Sequence, residues 1–290
     1  MKKYTYYPGC SLEVSNKPYD ASTKELFKAL KLELEEVPDW NCCGATMYMN
    51  FDEHKAVYLA ARNLAIAEKT GHDMAVPCSA CFTVLQKAKK FMKAEEGLQD
   101  KINGMLKEEG LTYDGKVKIR NILEIIFNDV GTDIKTLVKR NLKDIKVACY
   151  YGCQLVRPKG TFDDTENPEK LDKLMSWCGA SPVFFDAKTK CCGGMLMSTK
   201  EDVALKLVRD ILYAAKESGA DCMVTACPLC QINLEGYQTE IIKKFKEKLD
   251  IPILYFTQLA GYALGLDAKQ LGINENFTDA KKTLAKAGGN

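Results

Sequence analysis

The stretch Asn41-Cys42-Cys43-Gly44 returns later in the chain as Lys190-Cys191-Cys192-Gly193. Adjacent cysteines are uncommon, and two such pairs in one chain indicate metal chemistry, because thiolates are strong metal ligands. The repeated pair divides the sequence into two comparable parts, and the spacing of the other cysteines supports that division.

The cysteines around each pair fall at matching distances. One cysteine precedes each pair, with 31 intervening residues in the first case and 37 in the second. A CxxC motif follows each pair after 34 residues. The first set is Cys10, Cys42, Cys43, Cys78 and Cys81, and the second set is Cys153, Cys191, Cys192, Cys227 and Cys230. The rest of the chain is interpreted as a scaffold for two five-cysteine sites.

The bulk composition is that of a globular protein with room for two cores. The chain has 290 residues, of which 46% are hydrophobic and 28% are charged, and its formal net charge is +2. So small a net charge gives no general argument for binding to nucleic acid or to a membrane. The first residues lack the apolar segment of a signal peptide, and no apolar run approaches the roughly 18 residues that span a bilayer. We therefore expect a cytoplasmic protein without a membrane span.

Thirteen cysteines in such a chain do not form a disulfide framework, because a reducing cytosol keeps thiols free and the number is odd. Ten of them belong to the repeated pattern. The other three, Cys149, Cys178 and Cys222, are interpreted as core residues, since free cysteine is among the most buried residue types.

The pattern of apolar residues predicts two copies of an α/β unit. A short strand candidate precedes each single cysteine, at Lys3–Tyr7 and at Lys146–Tyr151. A helix with apolar residues at helical spacing follows each adjacent pair, and a second short strand leads into each CxxC motif. The helices are expected to start at Asn50 and, as a capping box with Glu201, at Ser198.

The two units are joined by a predicted connector. Residues 82–144 are expected to be mostly helical, with one apolar helical stripe over 119–130. The last residues, 279–290, are small and polar and are expected to fray. The domains are therefore predicted to be 1–145, the first half with the helical connector, and 146–290, the second half.

Five thiols per site fit a cluster better than a single ion. A CxxC motif on the first turn of a helix aims two sulfurs at one metal, and the positive helix end favours an anionic thiolate cluster. Zinc and an ordinary cubane iron–sulfur cluster each take four ligands, whereas each half here offers five. Adjacent cysteines span bridged iron atoms more naturally than two corners of one tetrahedron. A four-cysteine zinc site with one spare thiol is the alternative for each half.

Other cofactors and acid–base groups have little support. The sequence lacks the G-x-G-x-x-G and P-loop motifs, so neither a flavin nor a nucleotide site is expected. It also lacks the cysteine run of a low-potential ferredoxin cluster, so any electrons are expected to come from another chain. The two histidines, His54 and His72, lie in polar surroundings and are interpreted as surface residues.

The doubled pattern resembles the cysteine-rich CCG domain that occurs twice in the B subunit of heterodisulfide reductase. The resemblance runs from Tyr6-Tyr7-Pro8-Gly9-Cys10 to about Leu266, and is supported by the stretches Tyr150–Pro158, Phe162–Pro168 and Cys191–Gly194. It implies two pseudo-symmetric α/β halves with short strands, helices and cluster-binding loops. In the methanogen form a histidine follows Tyr-Gly-Cys, whereas this chain has Gln154, which indicates a bacterial or divergent relative.

What the resemblance implies is a catalytic subunit with two non-cubane [4Fe–4S] clusters, each held by one five-cysteine set. In the family a disulfide is bound between the clusters and takes up two electrons, one from each cluster. The electrons come from a C-type subunit with cubane [4Fe–4S] clusters, which is fed by a flavin-containing A-type subunit. The disulfide is either the coenzyme M–coenzyme B pair or a related disulfide or sulfur species. Zinc at one of the two sites is the minor alternative.

Some proteins with CCG domains carry electrons without contacting the substrate. They serve quinone-linked succinate, lactate or glycolate dehydrogenases, so an electron-transfer subunit of that kind is the second hypothesis. A structural zinc-binding protein is the third.

Basic residues near the second cysteine set are candidate substrate contacts. Arg157, Lys188 and Lys190, with Lys159 beside the first, are close in sequence to Cys153 or Cys191. Such side chains bind sulfonate, phosphate or carboxylate groups. Solvated surface charge is the alternative interpretation for each of them.

Overall fold

Two parallel sheets form the centre of the computed structural model, which describes residues 1–45, 52–157 and 159–289. The strands are β1 (Lys2–Tyr6), β2 (Leu32–Glu36), β3 (Met74–Val76), β4 (Ile119–Asn121), β5 (Arg140–Asn141), β6 (Lys146–Tyr150), β7 (Ser181–Val183), β8 (Cys222–Thr225), β9 (Ile253–Tyr255) and β10 (Gly288–Gly289). The sheet orders are β2-β1-β3-β4 and β7-β6-β8-β9, with parallel pairing throughout. The predicted α/β class with two repeated halves is confirmed.

Helices cover the sheets and fill the connections. They are α1 (Gly9–Val14), α2 (Lys17–Ala29), α3 (Glu53–Glu68), α4 (Ser79–Ala94), α5 (Leu98–Leu106), α6 (Ile122–Ile125), α7 (Gly152–Val156), α8 (Lys170–Trp177), α9 (Leu196–Thr199), α10 (Glu201–Glu217), α11 (Pro228–Gly236), α12 (Gln238–Phe245), α13 (Phe256–Ala263) and α14 (Lys281–Leu284). Within the described part of the chain, no helix is long and apolar enough to cross a membrane.

The central strands of the two sheets, β1 and β6, bring the single cysteines to one edge. Each strand begins with exposed or half-exposed lysine and becomes fully buried over its last three or four residues. Because all strands of a parallel sheet run the same way, the loops after their carboxyl ends lie along one edge. Cys10, Cys78, Cys153 and Cys227 lie at this edge, because they follow β1, β3, β6 and β8. Cys10 and Cys153 are on the short helices α1 and α7, and Cys78 and Cys227 are the N-cap residues of α4 and α11.

The long helices that follow the adjacent cysteine pairs start differently from the prediction. Asp52 caps α3, since its Oδ1 accepts a hydrogen bond of 3.1 Å from the Lys55 amide; the predicted start at Asn50 lies outside the described residues. The predicted capping box at Ser198 is wrong, because Ser198 lies inside the short helix α9 and Lys200 precedes α10 without a side-chain cap.

The structure also differs from the prediction in the connector and in the C-terminal segment. The predicted helical stripe over 119–130 begins instead as β4, the edge strand that pairs with β3, and the chain becomes helical only at Ile122. The last described residues, 279–289, contain regular secondary structure, whereas we expected them to fray; Asn290 lies outside the described residues. They form α14, and Gly288 and Gly289 then pair antiparallel with β5.

The two halves interlock through their helices. The second half places α13 on α2 of the first half, where Tyr19 and Tyr255 stack with ring centroids 4.0 Å apart. The hydroxyls of Ser22 and Thr257 meet at 2.7 Å in the same buried contact. The first half makes the reciprocal contact, in which its helix α6 packs on α8 of the second half. Directly after α6, the ring of Phe127 stacks on the ring of Trp177, with centroids 4.7 Å apart. One hydrophobic core therefore runs through both halves.

Candidate metal centre

A glycine places the single cysteine of each set. Gly9 and Gly152 directly precede Cys10 and Cys153, and both adopt positive φ, at 70° and 65°. A Cβ atom at Gly9 would lie 3.0 Å from the Sγ of Cys81, and one at Gly152 would lie 3.2 Å from the Sγ of Cys230. The backbone therefore approaches the CxxC sulfurs as closely as only glycine allows.

The adjacent cysteine pairs are held by tyrosines that the sequence interpretation missed. Tyr7 donates a hydrogen bond of 2.7 Å to the Asn41 carbonyl, and Tyr150 donates one of 2.6 Å to the Lys190 carbonyl. In both halves this carbonyl belongs to the residue just before the cysteine pair. The signal was present in the sequence, because each tyrosine stands three residues before its single cysteine.

The CxxC motifs start the helices α4 and α11. Cys78 and Cys227 are the N-cap residues, in extended conformation, and Cys81 and Cys230 follow on the first turn. The free amide groups and the positive end of a helix dipole favour negative charge at this position. Both motifs therefore place two sulfurs where a thiolate is stabilised.

The first five cysteines come together from three separate segments of the chain. The Sγ atoms of Cys10 and Cys42 are 3.6 Å apart, and those of Cys43 and Cys81 are 3.2 Å apart. Cys78 completes the group, since its thiol interacts with that of Cys81 and each shifts the pKa of the other. Cys10 and Cys42 are exposed, whereas the other three thiols are buried. The site therefore opens to the surface on the side of Cys10 and Cys42.

The second five cysteines repeat this arrangement. The Sγ atoms of Cys192 and Cys230 are 3.5 Å apart. The thiols of Cys153 and Cys191 interact, as do those of Cys227 and Cys230, since the members of each pair shift each other's pKa. Cys191 is exposed and Cys153 is half-buried, while the remaining three are buried. Both predicted cysteine sets are thus brought together by the fold.

Neighbouring thiols share protons in both sites. The hydrogen bond from Cys10 lowers the pKa of Cys42, and the same contact raises the pKa of Cys10. In the second site, the hydrogen bond from Cys153 lowers the pKa of Cys191 to about 6. One thiolate is therefore favoured beside a protonated partner. A bound metal cation would take the place of the shared protons and allow more of the thiols to ionise.

The donor set fits a polynuclear iron–sulfur group. Each site gathers five thiols at the amino end of a helix, and a glycine without a Cβ atom leaves space against one sulfur of each CxxC motif. Among the residues that the structure describes, no three His, Cys, Asp or Glu side chains converge closely enough to hold a single metal ion.

The two sites meet at the seam between the halves. The thiols of Cys78 and Cys227 interact, and this interaction is the largest cause that lowers the pKa of Cys78. The Ser79 hydroxyl donates a hydrogen bond of 3.0 Å to the Ala226 carbonyl, so the two CxxC loops are in contact. Tyr19 lies beside them, fully buried. Its hydroxyl is 3.2 Å from the Pro77 carbonyl and 3.3 Å from the Ala226 carbonyl, the residues just before the two cysteines. One phenol group thus touches both CxxC loops.

The remaining candidates are placed as follows. Cys149, Cys178 and Cys222 are fully buried in the core, which confirms their predicted structural role. Lys188 is buried and its ammonium donates a hydrogen bond of 2.7 Å to the Pro168 carbonyl. Lys190 is exposed and contacts Tyr150 through its backbone carbonyl.

Arg157 and Lys159 lie elsewhere. Both are exposed and line a cavity of about 570 Å³ together with Cys153 and Cys191. Two of the four basic candidates are therefore in the wall of a cavity at the second site.

Comparison with known proteins agrees with this architecture. The cysteine-rich CCG domain matches residues 4–86 and 147–235. A solved structure of a hypothetical protein from Helicobacter pylori superposes with a TM-score of 0.80 at 16% identity, covering 96% of this chain and 52% of that one. The chain thus spans about half of that protein, and at this identity the likeness concerns the fold alone.

Two similar proteins have assigned names. The 8-methylmenaquinol:fumarate reductase membrane anchor subunit of Wolinella succinogenes is 34% identical, over 97% of this chain and 99% of that protein. The B subunit of the ferredoxin/F420H2-dependent CoB-CoM heterodisulfide reductase of Methanosarcina acetivorans is 31% identical, over 99% and 97%. Because the domain match covers more than half of the chain and both relatives align with nearly all of it, this chain belongs to the family of proteins with two cysteine-rich CCG domains that includes the B subunit of heterodisulfide reductase.

Proposed function

We propose that the chain is the catalytic subunit of a heterodisulfide reductase-type complex, which reduces a disulfide at two non-cubane [4Fe–4S] clusters. The observation that carries this proposal is the contact between the two CxxC loops, in which the Ser79 hydroxyl donates a hydrogen bond of 3.0 Å to the Ala226 carbonyl, because it sets the two five-cysteine sites side by side at one seam. A disulfide needs two electrons, and two adjacent one-electron centres match that need.

The reaction is R–S–S–R′ + 2 e⁻ + 2 H⁺ → R–SH + R′–SH. The clusters, when bound, store and deliver the electrons singly. The five cysteines of each set would hold one cluster, and the electrons would arrive from a partner subunit with cubane [4Fe–4S] clusters that a flavin subunit supplies. Both partner subunits are inferred from the resemblance to heterodisulfide reductase.

The chain itself would supply the binding surface for the substrate. A cavity of about 530 Å³ reaches the second cysteine set, and its walls come from both halves, with Ala80 and Val84 of α4 facing Met195 and Leu229. Such apolar side chains would pack on the carbon atoms next to the disulfide and exclude water from it. The exposed Cys191 and half-buried Cys153 lie at this cavity.

A second function has one specific observation in its favour. The relative from Wolinella succinogenes is named as a subunit of an 8-methylmenaquinol:fumarate reductase. By that likeness, the chain would be an electron-transfer subunit of a quinone-linked dehydrogenase or reductase, and its clusters would not contact the carbon substrate. The same ten cysteines would hold the clusters in either case.

The deciding experiment combines metal analysis with two assays on anaerobically purified protein. About eight iron and eight sulfide per chain without zinc would support two four-iron clusters. About four iron with one zinc would leave one redox site and contradict the two-site reaction, and zinc alone would favour a structural role. With both clusters present, reoxidation of the dithionite-reduced protein by small disulfides would support disulfide reduction. Reoxidation by a menaquinone analogue but by no disulfide would favour the electron-transfer function.

A further inference from the structure

The cavity of about 570 Å³ beside the second cysteine set has a strongly basic wall. Four cationic side chains line it, namely Lys87, Lys90, Arg157 and Lys159, together with Cys153 and Cys191. None of the described residues that line it is acidic. The cavity therefore places positive charge and reactive sulfur in one space.

Both halves of the chain build this wall. Lys87 and Lys90 are three residues apart on α4, so they project from the same face of that helix. Arg157 and Lys159 follow α7 of the second half. The two elements are joined directly, because the Thr83 hydroxyl donates a hydrogen bond of 2.6 Å to the Gln154 carbonyl. The backbone segments that carry the cationic groups are thus held beside each other by the packing of the halves.

The four cations have no carboxylate partner in the part of the chain that the structure describes. Among the described residues, none of them forms an ion pair, whereas Arg62 and Arg120 are each paired with carboxylates at 2.6–3.3 Å. Four like charges around one cavity repel each other, and this cost is relieved when an anion binds between them. Side chains of this kind also give carboxylate, sulfonate and phosphate groups charge-assisted hydrogen bonds.

The cavity at the first cysteine set has the opposite character. It measures about 550 Å³ and is lined by Glu13, Glu36 and Asp39 with Cys10 and Cys42. No basic residue is among its described lining, and residues 46–51 carry no charged side chain in the sequence. Glu36 and Asp39 have cationic partners at 3.7 and 2.6 Å, in Lys24 and Arg62, so the excess negative charge is small. Among the described residues that line this cavity, no cationic side chain attracts an anion.

We propose that the basic cavity binds the anionic group of a small thiol or disulfide and thereby directs that arm of the molecule to the Cys153–Cys191 side of the second site. This assignment rests on the proposed function for the identity of the ligand as a thiol or disulfide. The anion site itself follows from the four cations, whichever reaction the chain serves.

The test compares three thiols of similar size that differ in charge: 3-mercaptopropionate, 2-mercaptoethanol and cysteamine. Propionate serves as the anion without sulfur. Binding to the cluster-loaded protein is followed by ligand-observed NMR, with the visible spectrum of the clusters as a second readout. We expect 3-mercaptopropionate to bind about tenfold more tightly than 2-mercaptoethanol, with cysteamine weakest, and propionate to compete with the anionic thiol. The preference should shrink as salt is raised, because exposed charges are screened.

The variants Lys87→Gln and Arg157→Gln locate the effect. Each should weaken binding of 3-mercaptopropionate about tenfold and leave 2-mercaptoethanol unchanged. Lys93→Gln is the matched control, since Lys93 is exposed on the same helix and does not line the cavity. Equal affinity for the three thiols, or an equal loss in Lys93→Gln, would overturn the anion site.

The outcomes separate this inference from the proposed function. If small disulfides reoxidise the reduced protein with no preference for charge, the anion site is wrong and disulfide reduction stands. If propionate binds and Arg157→Gln weakens it while no disulfide reacts, the anion site stands and disulfide reduction is wrong.

Discussion

The two halves of the chain position their cysteines in the same way but differ in the charge of the residues that line the cavity beside each site. Both use a positive-φ glycine before the single cysteine, a tyrosine hydroxyl on the carbonyl before the adjacent pair, and a CxxC motif at a helix start. The cavity at the first site is lined by carboxylates, whereas the cavity at the second is lined by lysine and arginine. Ligation is thus duplicated while the electrostatic environment is not, so the two sites are chemically distinct.

A second difference lies at the seam. Tyr19 stands nine residues after Cys10, and Phe162 stands nine residues after Cys153. Only the tyrosine has a hydroxyl, and it reaches a carbonyl in each half. The first half therefore supplies the polar link between the two CxxC loops.

The largest effect is expected when one cysteine is removed from each set, which tests whether both sets bind a cluster. Cys42→Ala and Cys191→Ala should each remove about half of the bound iron and abolish disulfide turnover, because each removes a ligand from one set. Iron content and the electron paramagnetic resonance signal of the remaining cluster measure this. Cys178→Ala, at a buried thiol outside both sets, is the control and should keep its iron. Full activity in both ligand variants would rule out the two-site reaction.

A smaller effect tests the glycine that precedes each single cysteine. Gly9→Ala should lower iron in the first site and Gly152→Ala in the second, because the new Cβ atoms would press on a CxxC sulfur at 3.0 and 3.2 Å. Gly71→Ala and Gly219→Ala are matched controls, with φ of 71° and 77° and no atom within 4 Å of the new Cβ. All four share a backbone penalty of about 1 kcal/mol. Equal iron content in all four variants would mean that the sulfur contact has no effect.

The seam is tested by Tyr19→Phe, which makes the two halves alike at this position. Loss of the hydroxyl leaves the buried Pro77 carbonyl without this donor and should lower the free energy of unfolding by about 1 kcal/mol. It should also alter the magnetic interaction between the two reduced clusters, because both CxxC loops lose their contact with the Tyr19 hydroxyl and the distance between them can change. The control is Tyr113→Phe, whose buried hydroxyl has no hydrogen-bond partner among the described residues. If both variants behave alike, the Tyr19 contact does not position the loops.

The last comparison concerns the sheet edges. Arg120 on β4 pairs with Asp129 at 2.7 Å, whereas the corresponding position on β9 is the buried Leu254. Burial raises the pKa of Asp129, but hydrogen bonds from Arg120, Lys2 and Tyr4 outweigh it and lower the pKa below its usual 3.8. This stabilisation is therefore complete above pH 3.8 and is lost as the pH falls through the lower folded value.

The measurement is the melting temperature of Asp129→Asn against the unaltered chain. The variant should melt lower at pH 7, and the difference should narrow as the pH falls below about 4, because the protonated carboxyl loses its attraction for Arg120. Asp202→Asn, at an exposed ion pair with Lys244, should change little. A difference that stays constant with pH would show that charge is not the cause.

Much of this arrangement could be predicted from the sequence because the cysteine spacing repeats. The α/β class and the strand before each single cysteine followed from short-range patterns, and the resemblance identified the family. Helix starts were less accurate, since Ser198 is a good capping residue that the chain uses inside a short helix instead. The stripe over 119–130 misled because apolar residues at helical spacing also suit the start of a buried edge strand.

The contacts between the halves could not be predicted. Lys87 and Arg157 are distant in sequence and become neighbours only through the packing of α4 on α7. Tyr19 gives no local sign that its hydroxyl reaches Ala226. Lys188 is a candidate substrate contact because it is close to Cys191 in sequence, but its ammonium donates a hydrogen bond to the Pro168 carbonyl. Closeness in sequence predicts which elements share a loop, and not where a long side chain points.

The reciprocal packing of α13 on α2 and of α6 on α8 bears on how such a chain is put together. A single unit of this kind would leave the faces of two helices without a partner, and a second copy related by a two-fold axis would supply both. The chain thus has the arrangement of an isologous dimer whose two copies have been joined into one polypeptide. The Cys78–Cys227 contact lies where that axis would pass. In a joined chain the two copies can acquire different residues. The cavity at the first site can therefore be lined by carboxylates and the cavity at the second by basic residues, and one tyrosine can contact both CxxC loops.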